Sequence, residues 1–190
     1  MEKINPDQQN QNPIDVNLRS SVYCNAIANG GQTEWDFGWQ RYTKSNVATE
    51  KELLLEALSC TQKLELINRF MNMSFVEDSE INRGDVPKVF ANIGKNSVAR
   101  DAAFDFVSDN WDTVVSFYGS YGLSKLMENM LNNRNTQSSL DKIKTFKEEK
   151  DETLRTSRRL IEQSIEKTET NIAWMETNYE NIRNWLFQQK

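Results

Sequence analysis

The spacing of the apolar residues is the feature that most constrains the fold of this chain. These residues recur three and four positions apart along most of the sequence, which places them on one face of an α-helix. No stretch combines the alternating pattern of a strand with turn signals on both sides. Seven glycines and three prolines in 190 residues are also few for a protein built from sheets and turns. The sequence therefore predicts an all-α chain.

The predicted helices are short and follow one another closely, about nine to eleven in all. We expect them at 17–29, 33–45, 49–60, 62–75, from Asp85 to Gly94, at 97–109 and 110–118, around Leu123–Leu131 and Leu140–Phe146, and along the last third from Thr153. Gly30-Gly31 suits a left-handed helix end, Gly119–Gly122 a turn, and Asn178 a break in the last helix. The helices are predicted to form antiparallel pairs, stacked as an armadillo- or HEAT-like superhelix.

Residues 1–13 are polar and rich in Asn and Gln, which predicts a flexible lead-in to a helical domain at 14–190. The lead-in has no hydrophobic stretch of the kind found in signal peptides, and no run of about 18 apolar residues occurs anywhere. The net charge of −5 argues against a nucleic-acid partner, because such proteins need a basic face.

The sequence contains no histidine. This excludes a Ser-His or Cys-His couple, a histidine metal ligand and an imidazole general base. Glycine-rich phosphate loops and Cys-x-x-Cys and His-Glu-x-x-His motifs are also missing. We therefore predict no catalytic residue, no metal ligand and no cofactor in this chain.

Three features between residues 20 and 75 could carry a structural or functional role. Cys24 and Cys60 lie on the predicted first and third helices, and either a disulfide or two buried free thiols would fit them. Trp35, Trp39 and Tyr42 are spaced by four and three residues, which favours a packing face over a ligand cage. Asn72-Met73-Ser74 matches the glycosylation acceptor pattern, which matters only if the chain is secreted.

Several blocks of sequence, in order and in one register, resemble a known family. They are Val22-Tyr23-Cys24-x-Ala26-Ile27-Ala28-x-Gly30-Gly31, Glu34-Trp35-Asp36-Phe37-x-Trp39, Ala57-Leu58-Ser59-Cys60-Thr61, Asn68-Arg69-Phe70, Asp105-Phe106-Val107-x-x-Asn110-Trp111 and Glu162-Gln163-x-x-Glu166-Lys167-Thr168-x-x-Asn171-Ile172-x-Trp174. These blocks resemble the C-terminal domain of zinc aminopeptidases of the aminopeptidase N type. Tyr179-Glu180-x-Ile182-Arg183-x-Trp185-Leu186 is similar to the related endoplasmic-reticulum aminopeptidases. The resemblance covers about residues 13–187.

The resemblance implies that Cys24 and Cys60 are joined by a disulfide, which in turn implies an oxidising compartment. The chain would then be extracellular, on the cell surface or in the endoplasmic-reticulum lumen, and Asn72 would be a credible glycan site. Some endoplasmic-reticulum members have an arginine just before a Thr-Gln pair that helps to hold the peptide C-terminus. Cys60 stands at that place here, before Thr61-Gln62.

In this family the zinc motif and the catalytic residues lie upstream of the C-terminal domain. The resemblance therefore implies that this chain alone is not an enzyme and that zinc belongs to the catalytic domain of a parent protein. The chain would be the C-terminal part of a larger domain that forms the concave wall of the peptide chamber and gates access to it. Its implied partners are that catalytic domain and the peptide substrate.

An alternative is a free-standing helical module, a truncated non-catalytic relative that binds a peptide or a protein on its concave face. Helix pairs that precede this segment in the family would leave an apolar N-terminal end uncovered here. Such an end predicts a homodimer formed through it.

Overall fold

The computed structural model describes residues 12–154 and 157–189, so the predicted lead-in falls outside the described residues except for Asn12 and Pro13. Within these ranges the chain forms ten helices and no strand. They are a 3₁₀ helix at Val16–Leu18 and α1 (Arg19–Asn29), α2 (Gln32–Lys44), α3 (Ala48–Leu58), α4 (Leu64–Met73), α5 (Val86–Lys95), α6 (Arg100–Asp109), α7 (Trp111–Leu131), α8 (Gln137–Leu154) and α9 (Arg158–Gln188). Neighbouring helices pack as antiparallel pairs. The all-α prediction is confirmed.

The chain divides after Gln62 into two compact units. In the first unit α3 packs against both α1 and α2. In the second unit α7 packs against α5, α6 and α9, and α8 packs against α9. Stacking of all the pairs into a superhelix stays a prediction.

Three ion pairs on the surface of the second unit show how α8 and α9 are oriented. They join Lys144 to Glu169, Lys147 to Glu162 and Asp151 to Arg158. As the residue number on α8 increases, the number of its partner on α9 decreases, so the two helices are antiparallel. Their link lies around residues 155–157, of which only Ser157 is described.

The chain turns at Gly30 as predicted, but not for the reason that the sequence suggested. Gly30 has φ of −86° and Gly31 of −124°, so neither residue is left-handed. A Cβ atom added to Gly30 would lie 2.7 Å from the carbonyl oxygen of Ala26 and 2.7 Å from Cβ of Glu34. Close approach of the end of α1 to the start of α2 therefore requires glycine at this position.

The predicted turn at Gly119–Gly122 is wrong, because the backbone of α7 continues through it. Leu123, Leu126 and Met127 are buried and extend the apolar face of the first half of the helix. Each glycine costs about 1 kcal/mol in a helix, whereas burial of one such side chain contributes about 1.5–3 kcal/mol. The glycine at 122 also makes room for Tyr118, whose Cδ1 would lie 2.6 Å from an added Cβ.

The second unit has an aromatic core centred on Phe75, which follows α4. Its ring centroid lies 5.6 Å from that of Phe90, 5.9 Å from Phe106 and 5.5 Å from Phe117. Phe90 is tilted, Phe106 stacked and Phe117 edge-on relative to Phe75, and both stacked and edge-on arrangements are favourable for aromatic rings. This core joins α4 to α5, α6 and α7.

The turn after α7 is fixed by a buried arginine. Arg134 is 2% exposed and follows Asn133, which has a left-handed φ of 61°. The Arg134 guanidinium forms an ion pair with Asp101. The amide of Asn171 in α9 donates to the carbonyl oxygen of Arg134 at 2.8 Å. The turn is thereby tied to α6 on one side and α9 on the other.

The predicted break at Asn178 is also wrong, since α9 is one helix from Arg158 to Gln188. The amide of Asn178 donates to the carbonyl oxygen of Trp174 at 2.8 Å, one turn earlier, and is accommodated within the helix. Side chains of α9 are buried only in its first part, although the helix continues to Gln188. Thr168 is 1% exposed, whereas Tyr179 is 51% and Leu186 is 55% exposed.

Candidate functional site

The disulfide-closed first unit carries the clearest binding geometry in the described residues. Cys24 on α1 and Cys60, two residues past the end of α3, are joined by a disulfide with their Cα atoms 5.4 Å apart. The amide of Cys60 donates to the carbonyl oxygen of Ala57 at 2.9 Å, so the cysteine extends the last turn of α3. The bond links α1 and α3, which both line an apolar groove.

Glu34 fixes the beginning of α2 by accepting a hydrogen bond from the amide of Gly31 at 2.7 Å. A carboxylate is well placed at a helix N-terminus, where main-chain amides are unpaired. This hydrogen bond, followed by that from the main chain of Glu34 itself, lowers the pKa of the Glu34 carboxyl. The Glu34 carboxylate therefore holds the first turn of α2 in place at neutral pH.

The aromatic stripe on α2 is a packing face, as predicted. Trp35 and Tyr42 are 0% and 1% exposed, and Trp39 stacks between them with ring centroids 5.9 and 5.3 Å away. The indole nitrogen of Trp35 donates to the carbonyl oxygen of Leu58 at 3.1 Å, which fastens α2 to the end of α3. No side chain of this stripe is left to act as a ligand cage.

An apolar groove of about 640 Å³ opens between α1, α2 and α3, on the side of α2 that faces away from the aromatic stripe. It is lined by Asn12, Pro13, Ile14, Val22, Tyr23, Ala26, Ile27, Thr33, Glu34, Phe37, Gly38, Arg41, Glu50, Leu54, Ala57 and Leu58. The apolar spacing on α1 predicts a buried face, but only Ile27 of that face is fully buried and Val22 is 41% exposed. Phe37 on α2 is 65% exposed at the rim. That prediction is therefore wrong in part, because this face borders an open groove.

Gly38 lies on the floor of the groove and brings α2 close to its neighbours. A Cβ atom at this position would lie 3.3 Å from Cδ2 of Leu58 and 3.4 Å from Cδ1 of Ile27. An alanine would need the Leu58 side chain to shift by only a few tenths of an ångström, whereas a bulky side chain would displace α2 or fill part of the groove. The shape of the groove therefore depends on a residue that the aromatic pattern around it gave no reason to single out.

One end of the groove is polar. The hydroxyl of Tyr23 donates to Oε1 of Glu50 at 2.7 Å, and Arg19 forms an ion pair with the same carboxylate at 3.6 Å. Burial, and then the hydrogen bond to Glu50, raises the pKa of Tyr23. A bound chain with an apolar side chain and a nearby polar group would match this lining. The sequence pointed to none of these three polar residues as a site.

Asn72 lies exposed on α4, and its side-chain amide donates to the carbonyl oxygen of Asn68 at 2.8 Å. Ser74 of the same tripeptide is fully buried, with its hydroxyl donating to the carbonyl oxygen of Phe70 at 2.9 Å. The asparagine is accessible in the folded unit, whereas the serine is not. Attachment of a glycan would therefore have to precede folding of this turn.

A second depression, in the second unit, is polar and lies between α6 and α8. Asp105, Asp109, Asp141 and Glu149 contribute to its lining, and the Lys142 ammonium lies 2.7 Å from both carboxylate oxygens of Asp105. Among the residues with described placement, no three Cys, Asp or Glu side chains form a group that could hold a metal ion. None of the described helices is long and apolar enough to cross a bilayer.

Comparison with known proteins places this architecture in a family. The family described as "ERAP1-like C-terminal domain" matches residues 2–170. Aminopeptidase N from Bos taurus is 37% identical over 180 residues, which is 93% of this chain and 18% of the relative. Aminopeptidase N from Homo sapiens is 35% identical over 183 residues, 95% of this chain and 19% of the relative.

A more distant relative has a name of its own. The thyrotropin-releasing hormone-degrading ectoenzyme from Homo sapiens is 28% identical over 179 residues, 93% of this chain and 16% of that protein. The chain thus spans less than a fifth of the length of these curated relatives.

Proposed function

The chain belongs to the family of ERAP1-like C-terminal domains, and from this premise we propose that it is the non-catalytic C-terminal domain of a zinc aminopeptidase of the aminopeptidase N type. The observation that carries the proposal is the identity of 35–37% to aminopeptidase N over 93–95% of the chain. The zinc ion and the catalytic residues would belong to a preceding catalytic domain, which is the first expected partner.

Within such a protein the domain would form the concave wall of the peptide chamber and control access to it. The apolar groove of the first unit supports this role, because its lining suits apolar side chains and its polar end could orient a neighbouring peptide group. The peptide substrate is the second expected partner.

A chimera tests the proposal. The matching segment of the bovine aminopeptidase N is replaced by this chain, and kcat/KM is measured for a short and a long peptide. We expect the chimera to recover activity that a truncated enzyme lacks, and to shift the ratio of long- to short-peptide cleavage. An unrelated helical domain of equal length is the control. Equal activity of the chimera, the control and the truncated enzyme would reject the proposal.

The chain alone provides a second test of its non-catalytic role. With zinc supplied, we expect the isolated 190-residue chain to leave chromogenic aminoacyl substrates intact, because it contains no histidine. Hydrolysis by the isolated chain that tracks with the protein through purification would contradict this role.

We further propose an extracellular, cell-surface or endoplasmic-reticulum location with a glycan on Asn72. The disulfide between Cys24 and Cys60 is consistent with an oxidising compartment. Expression behind a secretion signal in a eukaryotic cell should give a mobility shift that N-glycosidase removes. The shift should vanish in Asn72→Gln and persist in the exposed control Asn68→Gln. A secreted protein without a shift would exclude the glycan.

The alternative function is a free-standing module that binds an extended or helical peptide, and the same groove is the observation that favours it. The sequence of the full gene separates the two functions. An upstream His-Glu-x-x-His motif would support the aminopeptidase domain, whereas a signal peptide directly before this segment would support the module.

A further inference from the structure

The end of α1 carries the one Asn-Gly pair of the sequence, Asn29-Gly30. Asparagine followed by glycine loses its side-chain amide more readily than other asparagines, because glycine has no side chain to keep its main-chain nitrogen away from the asparagine amide. Asparagine is also among the residues that limit the durability of proteins on heating. Asn29 is exposed to solvent. The pair is therefore open to deamidation wherever the local backbone permits the reaction.

Deamidation of this pair requires water as its only other reactant. The main-chain nitrogen of Gly30 loses its proton and bonds to Cγ of Asn29, while the bond from Cγ to Nδ2 breaks and the amide leaves as ammonia. The product is a succinimide ring. One water molecule then opens the ring at either carbonyl group. This gives aspartate at position 29 or isoaspartate, in which the main chain continues through the side-chain carbonyl.

Hydrogen bonds at the end of α1 hold both reacting groups. The amide of Gly30 donates to the carbonyl oxygen of Ala26 at 2.9 Å, and Nδ2 of Asn29 donates to the carbonyl oxygen of Asn25 at 2.9 Å. An amide that donates in this way is slow to lose its proton, and the helical backbone keeps it from turning toward the Asn29 side chain. The last turn of α1 must therefore open before the ring can close.

The disulfide restrains this opening. Cys24 lies on α1, in the helix that ends at Asn29, and ties that helix to Cys60 at the end of α3. With 11 residues α1 is too short to be stable in water by itself, and only Ile27 of its side chains is fully buried. Both cysteines are half-buried, so a small dithiol can reach the bond. Reduction should therefore raise the population in which the last turn of α1 is open.

We propose that Asn29 is a latent deamidation site, which the end of α1 protects while the disulfide is intact and which reduction of the disulfide exposes. Either product disturbs the turn between α1 and α2. Aspartate at position 29 places a negative charge at the C-terminal end of the helix, where the helix dipole disfavours it. Isoaspartate adds a carbon atom to the main chain just before Gly30, where an added Cβ would already lie 2.7 Å from the Ala26 carbonyl oxygen and from Cβ of Glu34. Reoxidation of the cysteines would not reverse either change.

Deamidation rates in three states of the 190-residue chain test the proposal. The chain is incubated at mildly alkaline pH in the oxidised folded state, with dithiothreitol, and in urea. Conversion at position 29 is followed by peptide mass, which rises by about 1 Da, and by labelling with an isoaspartate methyltransferase. We expect a rate in urea more than tenfold above that of the oxidised folded chain, and a severalfold increase on reduction. The Cys24→Ala/Cys60→Ala variant without reductant should match the reduced chain.

Two results of this experiment would overturn the proposal. Equal rates in urea and in the oxidised folded chain would show that the end of α1 gives no protection. Equal rates in the oxidised chain, the reduced chain and the double cysteine variant would show that the disulfide does not control the site.

Asn25 is the matched control for the assignment of the site. It is exposed on the same helix, and its Nδ2 likewise donates to a carbonyl oxygen one turn earlier, that of Ser21 at 2.8 Å. Because Asn25 precedes Ala26, it should convert more than tenfold more slowly than Asn29 in urea. Gly30→Ala should bring Asn29 down to the rate of Asn25 in urea, where the folded turn no longer matters. Equal conversion of the two asparagines in the original chain would overturn the assignment.

The effect on the turn is tested with the aspartate product itself. Hydrogen exchange in residues 26–34 should be severalfold faster in Asn29→Asp than in the original chain, with the disulfide intact in both. Asn25→Asp also loses an amide donor and gains a charge, but one turn farther from the helix end, and should leave this exchange within about twofold. Unchanged exchange in Asn29→Asp would overturn the proposed effect of deamidation on the turn.

Discussion

The guanidinium of Arg134 donates a hydrogen bond to the carbonyl oxygen of Arg100 at 2.7 Å, and so joins the residue that follows α7 to the first residue of α6. The same guanidinium donates to the carbonyl oxygen of Met130 at 3.3 Å, near the end of α7. Burial lowers the pKa of Arg134, and the neighbouring carboxylate of Asp101 opposes that shift. One buried cation thus hydrogen-bonds to carbonyl groups at two helix ends.

Replacement of this cation should be far more damaging than loss of a surface ion pair. Arg134→Met should lower the free energy of unfolding by about 2–4 kcal/mol, since it removes a buried cation together with its hydrogen bonds to two carbonyl groups of the second unit. Lys142→Met, which removes an ion pair whose partners are 41% and 48% exposed, should change it by less than about 1 kcal/mol. Urea unfolding followed by far-ultraviolet circular dichroism measures both. Equal losses would contradict the structural role of Arg134.

In the first unit, the hydrogen bond from Trp35 to Leu58 gives a second stability prediction. Trp35→Phe should cost about 1–3 kcal/mol, because it removes the donor and leaves a small cavity between α2 and α3. Phe37→Leu, on the exposed side of the same helix, should change stability by less than about 0.5 kcal/mol. The midpoints of thermal unfolding provide the comparison. A larger effect at Phe37 would mean that the groove is closed in solution.

The disulfide should stabilise the first unit chiefly by restricting its unfolded chain. For a sequence separation of 36 residues, reduction should cost about 3–4 kcal/mol on the chain-entropy model. Hydrogen exchange with and without reductant should show faster exchange in α1 and α3. The Cys24→Ala/Cys60→Ala variant is the control and should not respond to reductant.

The bond itself is checked by intact mass after alkylation. Cys24 and Cys60 should resist alkylation under denaturing conditions until they are reduced. If both react freely without reductant after expression in an oxidising compartment, the disulfide and the compartment proposed from it are both wrong.

At acidic pH the Glu34 carboxylate should no longer contribute to the stability of the folded chain. Because the folded-state pKa of Glu34 is lowered from its usual 4.5, its stabilising effect is present above that value and is lost as the pH falls through the lower folded-state pKa. Glu34→Gln should therefore be less stable than the original chain at neutral pH, and the difference should shrink at acidic pH. Urea midpoints across this range measure it. A difference that stays constant with pH would show that the carboxylate charge has no part in fixing α2.

Helix content and pairing were predictable from sequence because apolar spacing reports directly on burial. The errors came where one local signal competed with packing. Gly119 and Gly122 favour a turn, but the buried residues on either side keep α7 continuous. Asn178 favours a break, but its side chain bonds within the helix. Gly30 was placed at a turn correctly, although a close contact and not a left-handed backbone requires it.

The groove and the exposure of the C-terminal part of α9 could not be predicted from periodicity alone. An apolar stripe shows that a face is suited to burial, but not whether the chain itself covers it. Val22 and Ile27 lie on one stripe, yet one is 41% and the other 5% exposed. The polar end formed by Tyr23 and Glu50 depends on contacts between residues 27 positions apart, which no local pattern encodes.

The tryptophans differ widely in exposure, so the intrinsic fluorescence of the protein can report on binding. The indoles of Trp35 and Trp111 are 0% and 1% exposed, whereas those of Trp174 and Trp185 are 53% and 59% exposed. Emission should therefore contain a blue component that acrylamide cannot reach and a red component that it quenches. Any partner that covers the end of α9 would shift only the red component, so occupancy of that helix can be read without a label.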